Sequence, residues 1–391
     1  MPRAGPALSL WMPTPNDTPT TPNTPNTPII GSPGTEQHPQ RTALVAGASG
    51  IAGAALVDQL TAEGWSVIAL SRTPIAARPG VIPVGADLRS VDSLRTALAG
   101  HAPSHVFFTA WLRQNTEAEN IVVNSAMVRD LLIALADAPV EHVALMTGLK
   151  QYLGPFEAYG QGEVPDTPFH EDEPRLSVEN FYYAQEDELW AAARARGFTW
   201  SVHRAHTVIG HAVGNAMNMG LTLAVYAAIC RELNQPFVFP GSETQWNGVT
   251  DMTDAPLLAE QMVWAATTPA AADTAFNIVN GDTFRWRWLW PRLAAYFGVE
   301  PEGFTDAPRP LETQIADAQP VWAAIVAKHN LVEADLTRLA SWWHSDADLG
   351  RTMEVFADMG RSRAAGFTGY RNTEQAFLEL FDRYRAERLI P

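Results

Sequence analysis

The sequence predicts an α/β protein in which a doubly wound parallel sheet is followed by a smaller, mostly helical C-terminal lobe. Three observations predict this class. Short apolar runs suited to strands buried on both faces alternate with segments of helical spacing over residues 42–210. The first run leads through a glycine-rich turn into a helical segment, as in a strand–helix–strand unit. Beyond residue 210 the alternation loosens and helical segments prevail.

The elements of the first lobe can be assigned in order. TALVA is the first strand, an amphipathic helix follows the turn, and SVIALSR is the second strand. HVFFTA (105–110) and HVALMTG (142–148) are further buried strands, separated by NIVVNSAMVRDLLIALADA, which has helical spacing. TWSVHRAHTVIG (199–210) is a strand with a loop at its carboxyl end. In such a sheet, ligands are expected beyond the carboxyl ends of the strands.

The second half of the chain has fewer strands. MNMGLTLAVYAAICREL is predicted to be a helix, and AFNIVNGDTFRWRWLWPRLAAYFG (275–298) a strand, a turn and a tryptophan-rich helix. The last eighty residues are predicted to be mostly helical. We expect these segments to form a lobe that closes over the ends of the sheet.

The first forty residues differ from the rest of the chain. Proline, threonine and asparagine dominate residues 1–40, and TPNTPNTP is low-complexity sequence. Such a segment buries too little apolar surface to offset its conformational entropy. We therefore predict a disordered tail.

Composition excludes several functional classes. A formal net charge of −16 disfavours binding to nucleic acid or to an anionic membrane, since both need a basic face. No apolar run is long enough for a membrane span. The single cysteine, Cys230, rules out an internal disulfide and fits a reducing, cytoplasmic location. The histidines lack the spacing of a metal site, so no metal is predicted.

The turn GASGIAG is the strongest functional motif. It places Gly47, Gly50 and Gly53 between a strand and a helix. The glycines allow a tight turn, close approach of the backbone to a pyrophosphate and close helix–strand packing. The helix N-terminus offers N–H groups and the positive end of its dipole to the phosphates. The motif therefore predicts a Rossmann-type dinucleotide site.

The end of the second strand indicates which dinucleotide is bound. Proteins that prefer NAD usually carry an acid there, whereas this chain has Ser71 and Arg72. A guanidinium suits the 2′-phosphate of NADP, although Arg72 can also be an ordinary surface arginine. Asp87 in GADL is placed either to contact an adenine or to cap the next helix. The predicted cofactor-binding residues are Gly47, Ser49, Gly50, Ile51, Gly53, Ser71, Arg72, Asp87, Leu88, Thr109 and Thr147.

The stretch NFYYAQED contains two adjacent tyrosines, either of which is a candidate for the catalytic residue. A short-chain reductase usually pairs a tyrosine with a lysine four residues later, on the same face of a helix. Tyr182 is followed at that spacing by Glu186 and Tyr183 by Asp187. Lys150 is the one lysine near a strand end of the predicted sheet, so it is placed to supply the missing cation from another segment.

At these motifs the chain resembles a known family. TGLKQYLGPFE, NFYYAQED and WSVHR resemble the progesterone 5β-reductase and iridoid synthase-like group of extended short-chain dehydrogenases. The resemblance runs from about Thr42 to Pro391 and includes VYAAIC, AFNIVNGDTFRW, SWW and GFTGYRNT. It implies NADPH-dependent reduction of the activated C=C bond of 1,4-enones.

The resemblance also implies roles for individual residues. It places the catalytic lysine at Lys150 and the catalytic tyrosine at Tyr182, with Tyr183 as a supporting or packing residue. From the residues alone, the two tyrosines can equally be packing aromatics on a helix capped by Asn180. Lys150 can likewise be a plain surface lysine.

The chain departs from the family pattern in two places. Where the family often has HRPGNIFG this chain has HRAHTVIG, with Ala205, His206 and Thr207 in place of Pro, Gly and Asn. Leu149 stands where plant members commonly have arginine. Both changes affect the expected substrate more than the reaction. The predicted substrate-pocket residues, each of which can also be simply packed, are Trp111, Phe156, Tyr183, His206, Met217 and Phe367.

The expected function is that of an NADPH-dependent enone reductase. Residues 41–210 would bind NADP, and residues 211–391 would form most of a substrate lobe, with the chain free to cross back. The alternatives are a carbonyl reductase or another extended short-chain dehydrogenase activity, and a non-enzymatic sensor of NADP. The expected partner is a small enone. The oligomeric state is open, although a homodimer is common for this fold.

Overall fold

A computed structural model describes residues 41–155, 165–315 and 317–391. Its main sheet consists of β1 (Thr42–Ala46), β2 (Ser66–Ser71), β3 (Val81–Gly85), β4 (His105–Phe108), β5 (His142–Gly148), β6 (Thr199–Ala205) and β10 (Thr274–Ile278). Two small parallel pairs join β7 (Val208–Ile209) to β9 (Thr253–Asp254) and β8 (Phe237–Val238) to β11 (Pro301–Glu302).

The helices alternate with the strands in the first half of the chain and then dominate. The first are α1 (Ile51–Ala62), α2 (Val91–Ala97), α3 (Glu117–Ala134), α4 (Lys150–Leu153), α5 (Phe181–Arg196), α6 (Met219–Leu233) and α7 (Glu243–Asn247). They are followed by α8 (Ala255–Thr267), α9 (Trp286–Phe297), α10 (Leu311–Gln314), α11 (Ala318–His329), α12 (Trp342–Leu349), α13 (Gly360–Ala364) and α14 (Thr373–Ala386). Short 3₁₀ turns occupy Pro269–Ala271 and Leu336–Arg338.

The strand order of the main sheet is β10-β6-β5-β4-β1-β2-β3, and every neighbouring pair is parallel. The direction of winding reverses between β1 and β4. This switch point is where a crevice opens at the carboxyl ends of the strands in doubly wound sheets. The predicted fold class, a doubly wound parallel sheet of the Rossmann type, is confirmed.

The sheet is covered on both faces because most of its strand residues are apolar. Val45 of β1 contributes to the core that α1 and α8 cover, whereas Leu44 contributes to the core that α3 and α5 cover. Both side chains are fully buried. Successive side chains of a strand point to opposite faces, so continuous apolar runs are what a two-sided core requires.

The second half of the chain returns to the main sheet. After residue 210 it builds α6 to α8 and then returns to the main sheet as β10, beside β6. A separate apolar core holds α6, α9, α11 and α14 together. In that core Trp290 stacks on Phe237 with ring centroids 4.0 Å apart, and its Nε1 donates to the Phe237 carbonyl at 2.9 Å. Among the described residues, no helix is long and apolar enough to cross a membrane.

Candidate active site

A cleft opens at the carboxyl ends of β1, β4, β5 and β6, with an empty volume of about 890 Å³ that includes the solvent at its mouth. Residues from α12 and the chain just after it form part of its wall. The sequence-predicted residues that line the cleft are Gly50, Ile51, Thr109, Trp111, Thr147, Lys150, Tyr182, His206 and Met217.

The glycine turn has the shape of a dinucleotide cradle. Gly47 has φ +92°, and a Cβ there would lie 2.9 Å from Thr109 Oγ1. A Cβ on Gly53 would lie 2.0 Å from the Gly47 carbonyl oxygen, so a side chain at either position is excluded. Gly50 is the N-cap residue of α1 and has no side chain to cap the helix, while Ser49 before it is exposed. The first N–H groups of α1 therefore remain available to phosphates.

A buried hydroxyl supports the same assignment. Thr147 Oγ1 lines the cleft at the end of β5, and it is buried with no hydrogen-bond partner among the described residues. A buried polar atom without a partner costs free energy unless a ligand or water satisfies it. The cradle and Thr147 together fit a bound dinucleotide.

The residues expected near the adenosine end lie beyond β2 and β3, outside the cleft lining. Arg72 is exposed, whereas Ser71 is buried and its hydroxyl donates to the Thr73 carbonyl at 2.7 Å. The carboxylate of Asp87 accepts from Arg89, chiefly through the side chain, and this contact lowers the pKa of Asp87. Leu88 packs against the apolar core on this side of the sheet.

The alternative that Asp87 caps the next helix is wrong. The N-cap residue of α2 is Ser90, whose hydroxyl accepts from the Ser93 N–H at 3.2 Å. Asp87 precedes the helix by four residues and binds Arg89 instead.

Lys150 lies in the cleft wall directly after β5. It begins the short helix α4, and only 3 % of its side chain is exposed. Its Nζ lies 3.5 Å from Glu117 Oε2 and 5.4 Å from the centroid of the Phe181 ring. The lysine predicted to be catalytic is therefore a buried residue and not a surface one.

Tyr182 enters the same cleft from the first turn of α5. Asn180 caps this helix, because its Oδ1 accepts from the N–H groups of Tyr182 and Tyr183. The phenol lies against the end of β5: a Cβ on Gly148 would be 3.3 Å from the Tyr182 hydroxyl. A tyrosine and a lysine from two separate segments thus line one cleft.

Glu117 holds these two segments together, and the sequence did not single it out. Its Oε1 accepts from the Phe181 N–H at 2.8 Å, while its Oε2 faces Lys150. A capping box between Thr116 and Glu119 fixes the start of α3 and so places Glu117 at the first helical position. The TEAEN stretch shows the capping box but gives no hint of the distant partners.

Tyr183 does not line the cleft. It is buried, its hydroxyl donates to the Gln151 carbonyl at 2.8 Å, and it accepts from the Leu176 N–H at 3.0 Å. Burial raises the pKa of Tyr183. Tyr183 therefore fills a structural position behind α4.

The two acids that stand where a lysine was expected also have a structural partner. The side chains of Glu186 and Asp187 both accept from Arg175, at 2.7 and 2.8 Å. Burial raises the pKa of Glu186. These acids form a network with Arg175 and do not line the cleft.

Of the remaining residues predicted for the substrate pocket, three line the cleft, one does not, and one lies outside the described residues. Trp111 stacks on Phe181, with centroids 5.5 Å apart and planes 6° apart, and it lines the cleft with Met217 and His206. Phe367 is buried against Trp264, at 5.3 Å between centroids, and does not line the cleft. Phe156 lies outside the described residues.

Some lining residues were not anticipated. His344, Asp348 and Arg351 contribute to the cleft from α12 and the residues after it. Their spacing in the sequence is helical, but nothing in it indicates which face meets the sheet. Within the described parts of the chain, no group of three His, Cys, Asp or Glu side chains is placed to hold a metal ion.

The parallel sheet, the glycine turn at its switch point and the tyrosine and lysine beyond β5 define a protein of the short-chain dehydrogenase/reductase class. Solved structures of sugar-nucleotide epimerases share the fold. UDP-glucose 4-epimerase of Thermotoga maritima is 15 % identical, with a TM-score of 0.62 over 88 % of this chain and 99 % of its own. The Thermus thermophilus enzyme, solved with NAD, is 18 % identical, with a TM-score of 0.61 over 88 % of this chain and 99 % of its own.

The chain belongs to the PRISE-like Rossmann-fold domain family, which it matches over residues 43–391. An (S)-8-oxocitronellyl enol synthase of Camptotheca acuminata is 38 % identical over 90 % of this chain and 94 % of its own length. A 3-oxo-Δ(4,5)-steroid 5β-reductase of Arabidopsis thaliana is 37 % identical over the same shares. These relatives confirm the resemblance predicted from the motifs, and with it an enzyme of this superfamily.

Proposed function

We propose that this protein is an NADPH-dependent reductase of the activated C=C bond of 1,4-enones. The observation that carries the proposal is that Lys150 and Tyr182, which come from different segments, line one cleft at the carboxyl ends of the sheet. Relatives named as a steroid 5β-reductase and as enol synthases support this choice of reaction.

The proposed role of the pair is to hold the carbonyl oxygen of the enone. A reduced nicotinamide, when bound, supplies the hydride that adds to the β-carbon. Negative charge then develops on the carbonyl oxygen, and the Tyr182 O–H and the Lys150 ammonium stabilise it as in an oxyanion hole. The α-carbon takes its proton afterwards, from solvent. Because the phenol only donates a hydrogen bond, it does not need a lysine on its own helix.

The assignment of the cofactor has two parts: that it is a nicotinamide dinucleotide, and that NADPH is preferred to NADH. The glycine cradle and the unpartnered Thr147 hydroxyl support a nicotinamide dinucleotide. The preference for NADPH depends on exposed Arg72, which stands where NAD-binding folds carry an acid. The lone cysteine, Cys230, is free and buried, and it accords with a reducing, cytoplasmic compartment.

Product analysis tests the reaction type. A cyclic 1,4-enone is incubated with the protein and NADPH deuterated at C4, and the products are separated and analysed by mass spectrometry and NMR. The proposal predicts the saturated ketone with deuterium at the β-carbon. An allylic alcohol with deuterium at the carbinol carbon identifies a carbonyl reductase instead. NADP binding without any product identifies a sensor and contradicts the proposal.

A further inference from the structure

One wall of the cleft is polar, and the proposed chemistry does not use it. This polar wall consists of His206, His344, Asp348 and Arg351, which all line the cleft. About nine-tenths or more of each side chain is buried. Buried polar groups are expected to be paired, so the hydrogen bonds of this wall indicate what a ligand must provide.

His206 has both ring nitrogens occupied. An arginine cannot accept a hydrogen bond, so the 2.9 Å contact from Arg351 Nη1 makes His206 Nε2 an acceptor. The proton of the neutral ring is then on Nδ1, which donates to Asp251 Oδ1 at 2.6 Å. His206 therefore orients Arg351 and has no hydrogen-bonding capacity left for a ligand.

Arg351 retains donors. Its Nη2 donates to Asp348, whose other oxygen accepts from the Thr207 hydroxyl at 2.7 Å. Burial alone would raise the pKa of Asp348, but Arg351, His344, the Thr207 hydroxyl and His206 together outweigh burial, and the pKa is lowered. Arg351 and Asp348 thus form an ion pair with no net charge. The guanidinium has five N–H groups in total, and these contacts engage two of them.

His344 supplies a hydrogen-bond acceptor, whereas Arg351 supplies donors. Its Nε2 faces Asp348 Oδ2 at 3.6 Å, which favours the proton on that nitrogen. Its Nδ1 is then an acceptor, and it is buried with no hydrogen-bond partner among the described residues. Burial lowers the pKa of His344, so the ring is neutral at pH 7.

Arg351, which retains N–H donors, and His344, whose Nδ1 has no hydrogen-bond partner among the described residues, therefore line one cleft and contact different oxygens of Asp348. We propose that the substrate carries a neutral hydroxyl group, remote from the enone, which accepts from Arg351 and donates to His344 Nδ1. A carbonyl group can satisfy only Arg351, and an apolar group satisfies neither. A carboxylate group adds little to the binding affinity, because the wall has no net positive charge to attract it. This inference names a substrate class and rests on the proposed enone reduction.

A series of matched compounds tests the proposal. Straight-chain trans-3-en-2-ones that end in a hydroxyl group are compared with 3-en-2-ones of equal length that end in a methyl, an aldehyde or a carboxylate group. Chain length is varied, because the hydroxyl group strengthens binding only when the chain is long enough for it to reach the polar wall. Dissociation constants are measured by titrating the complex of the protein with NADP⁺, and turnover is measured separately with NADPH.

At one chain length the hydroxyl compound is expected to bind about 10- to 100-fold more tightly than its methyl counterpart, with the aldehyde between them. His344→Phe, which keeps a flat ring, should remove most of this advantage. The matched control His101→Phe lies before β4, at the opposite edge of the sheet, and should keep it. Equal binding at every length, tightest binding of the carboxylate, or an unchanged advantage in His344→Phe would each overturn the proposal.

The experiment separates this inference from the proposed function. Turnover of the whole series without any hydroxyl advantage refutes the polar-wall assignment and leaves enone reduction intact. A hydroxyl advantage in binding without any turnover supports the polar wall and refutes the reaction. The comparison within the wild-type protein needs no variant, so a misfolded His344→Phe would not remove the test.

Discussion

The side-chain amide of Asn180 donates to the backbone carbonyl oxygen of Lys150 at 3.2 Å. The same side chain caps α5 through its oxygen, so one residue fixes both the start of the tyrosine helix and the turn that carries the lysine. Glu117 bridges the same two segments from α3. Contacts between three segments therefore bring Lys150 and Tyr182 to one cleft, although the two residues do not share a helix.

Asn180→Asp should lower turnover while keeping the cap of α5. The carboxylate keeps the acceptor that caps α5 and suits a helix N-terminus, but it loses the donor to Lys150. We expect kcat to fall about 5-fold, from the loss of one hydrogen bond, with little change in the KM for NADPH. Asn372→Asp makes the same change at the N-cap of α14 and should leave kcat unchanged. A larger effect on KM than on kcat would contradict this positioning role.

Lys150→Met should remove one of the two groups that we propose to hold the enolate oxygen. Loss of one oxyanion donor usually lowers kcat by about 10²–10³-fold, and steady-state kinetics with an enone will measure the loss. The chain contains one other lysine, Lys328, which is exposed and pairs with Glu232 at 2.7 Å. Lys328→Met is therefore a matched control. If both variants turn over alike, Lys150 has no catalytic role.

Arg72→Ala should impair the use of NADPH more than that of NADH. A charge-assisted contact to the 2′-phosphate is worth about 1.5–3 kcal/mol, so kcat/KM for NADPH should fall about 10- to 100-fold. NADH lacks this phosphate, and its kcat/KM should barely change. Arg95→Ala on the exposed surface of α2 serves as the control. An equal loss of kcat/KM with both cofactors would show that Arg72 does not bind the 2′-phosphate.

A buried histidine pair should make the fold sensitive to acid. His142 Nε2 and His203 Nε2 contact the same Ser201 hydroxyl, at 3.0 and 2.9 Å, and His203 Nδ1 contacts Gln261 Oε1 at 2.8 Å. Burial lowers the pKa of His203 to about 4 and that of His142 to about 3. Between pH 6.5 and 4 the unfolded chain binds a proton at His203 that the folded chain does not, so stability falls as pH falls through this window.

The loss from His203 amounts to about 3 kcal/mol across that window. Urea unfolding at pH 7 and pH 5, at constant ionic strength, will measure the part of this loss that falls above pH 5, which is about 2 kcal/mol. His203→Asn should reduce the pH dependence by the contribution of His203 and leave that of His142, whereas His101→Asn should not reduce it. Equal pH dependence in His203→Asn and the wild type would show that His203 is not the source.

The sequence predicted the elements whose signals are local. The apolar runs, the glycine turn and the Asn180 cap each report on neighbouring residues, and the motifs identified the family. Contacts between residues that are distant in the sequence were harder to predict. Phe367 was expected in the pocket but packs on Trp264, because an apolar residue near the C-terminus carries no sign of which core it joins. Glu117 and Arg351 meet partners 33 and 145 residues distant, and no periodicity encodes such pairings.

Single-turnover reduction of an enone by Tyr182→Phe tests the central claim most directly. The protein is mixed with NADPH and substrate, and the rate of NADPH oxidation is followed while the dissociation constant for NADPH is measured in parallel. We predict a rate about 10²-fold or more below the wild type, because one donor to the enolate oxygen is lost, with NADPH binding unchanged. Tyr296→Phe, whose hydroxyl contacts Asp382 in the C-terminal lobe, should keep the wild-type rate. A wild-type rate in Tyr182→Phe would contradict the assignment of the active site.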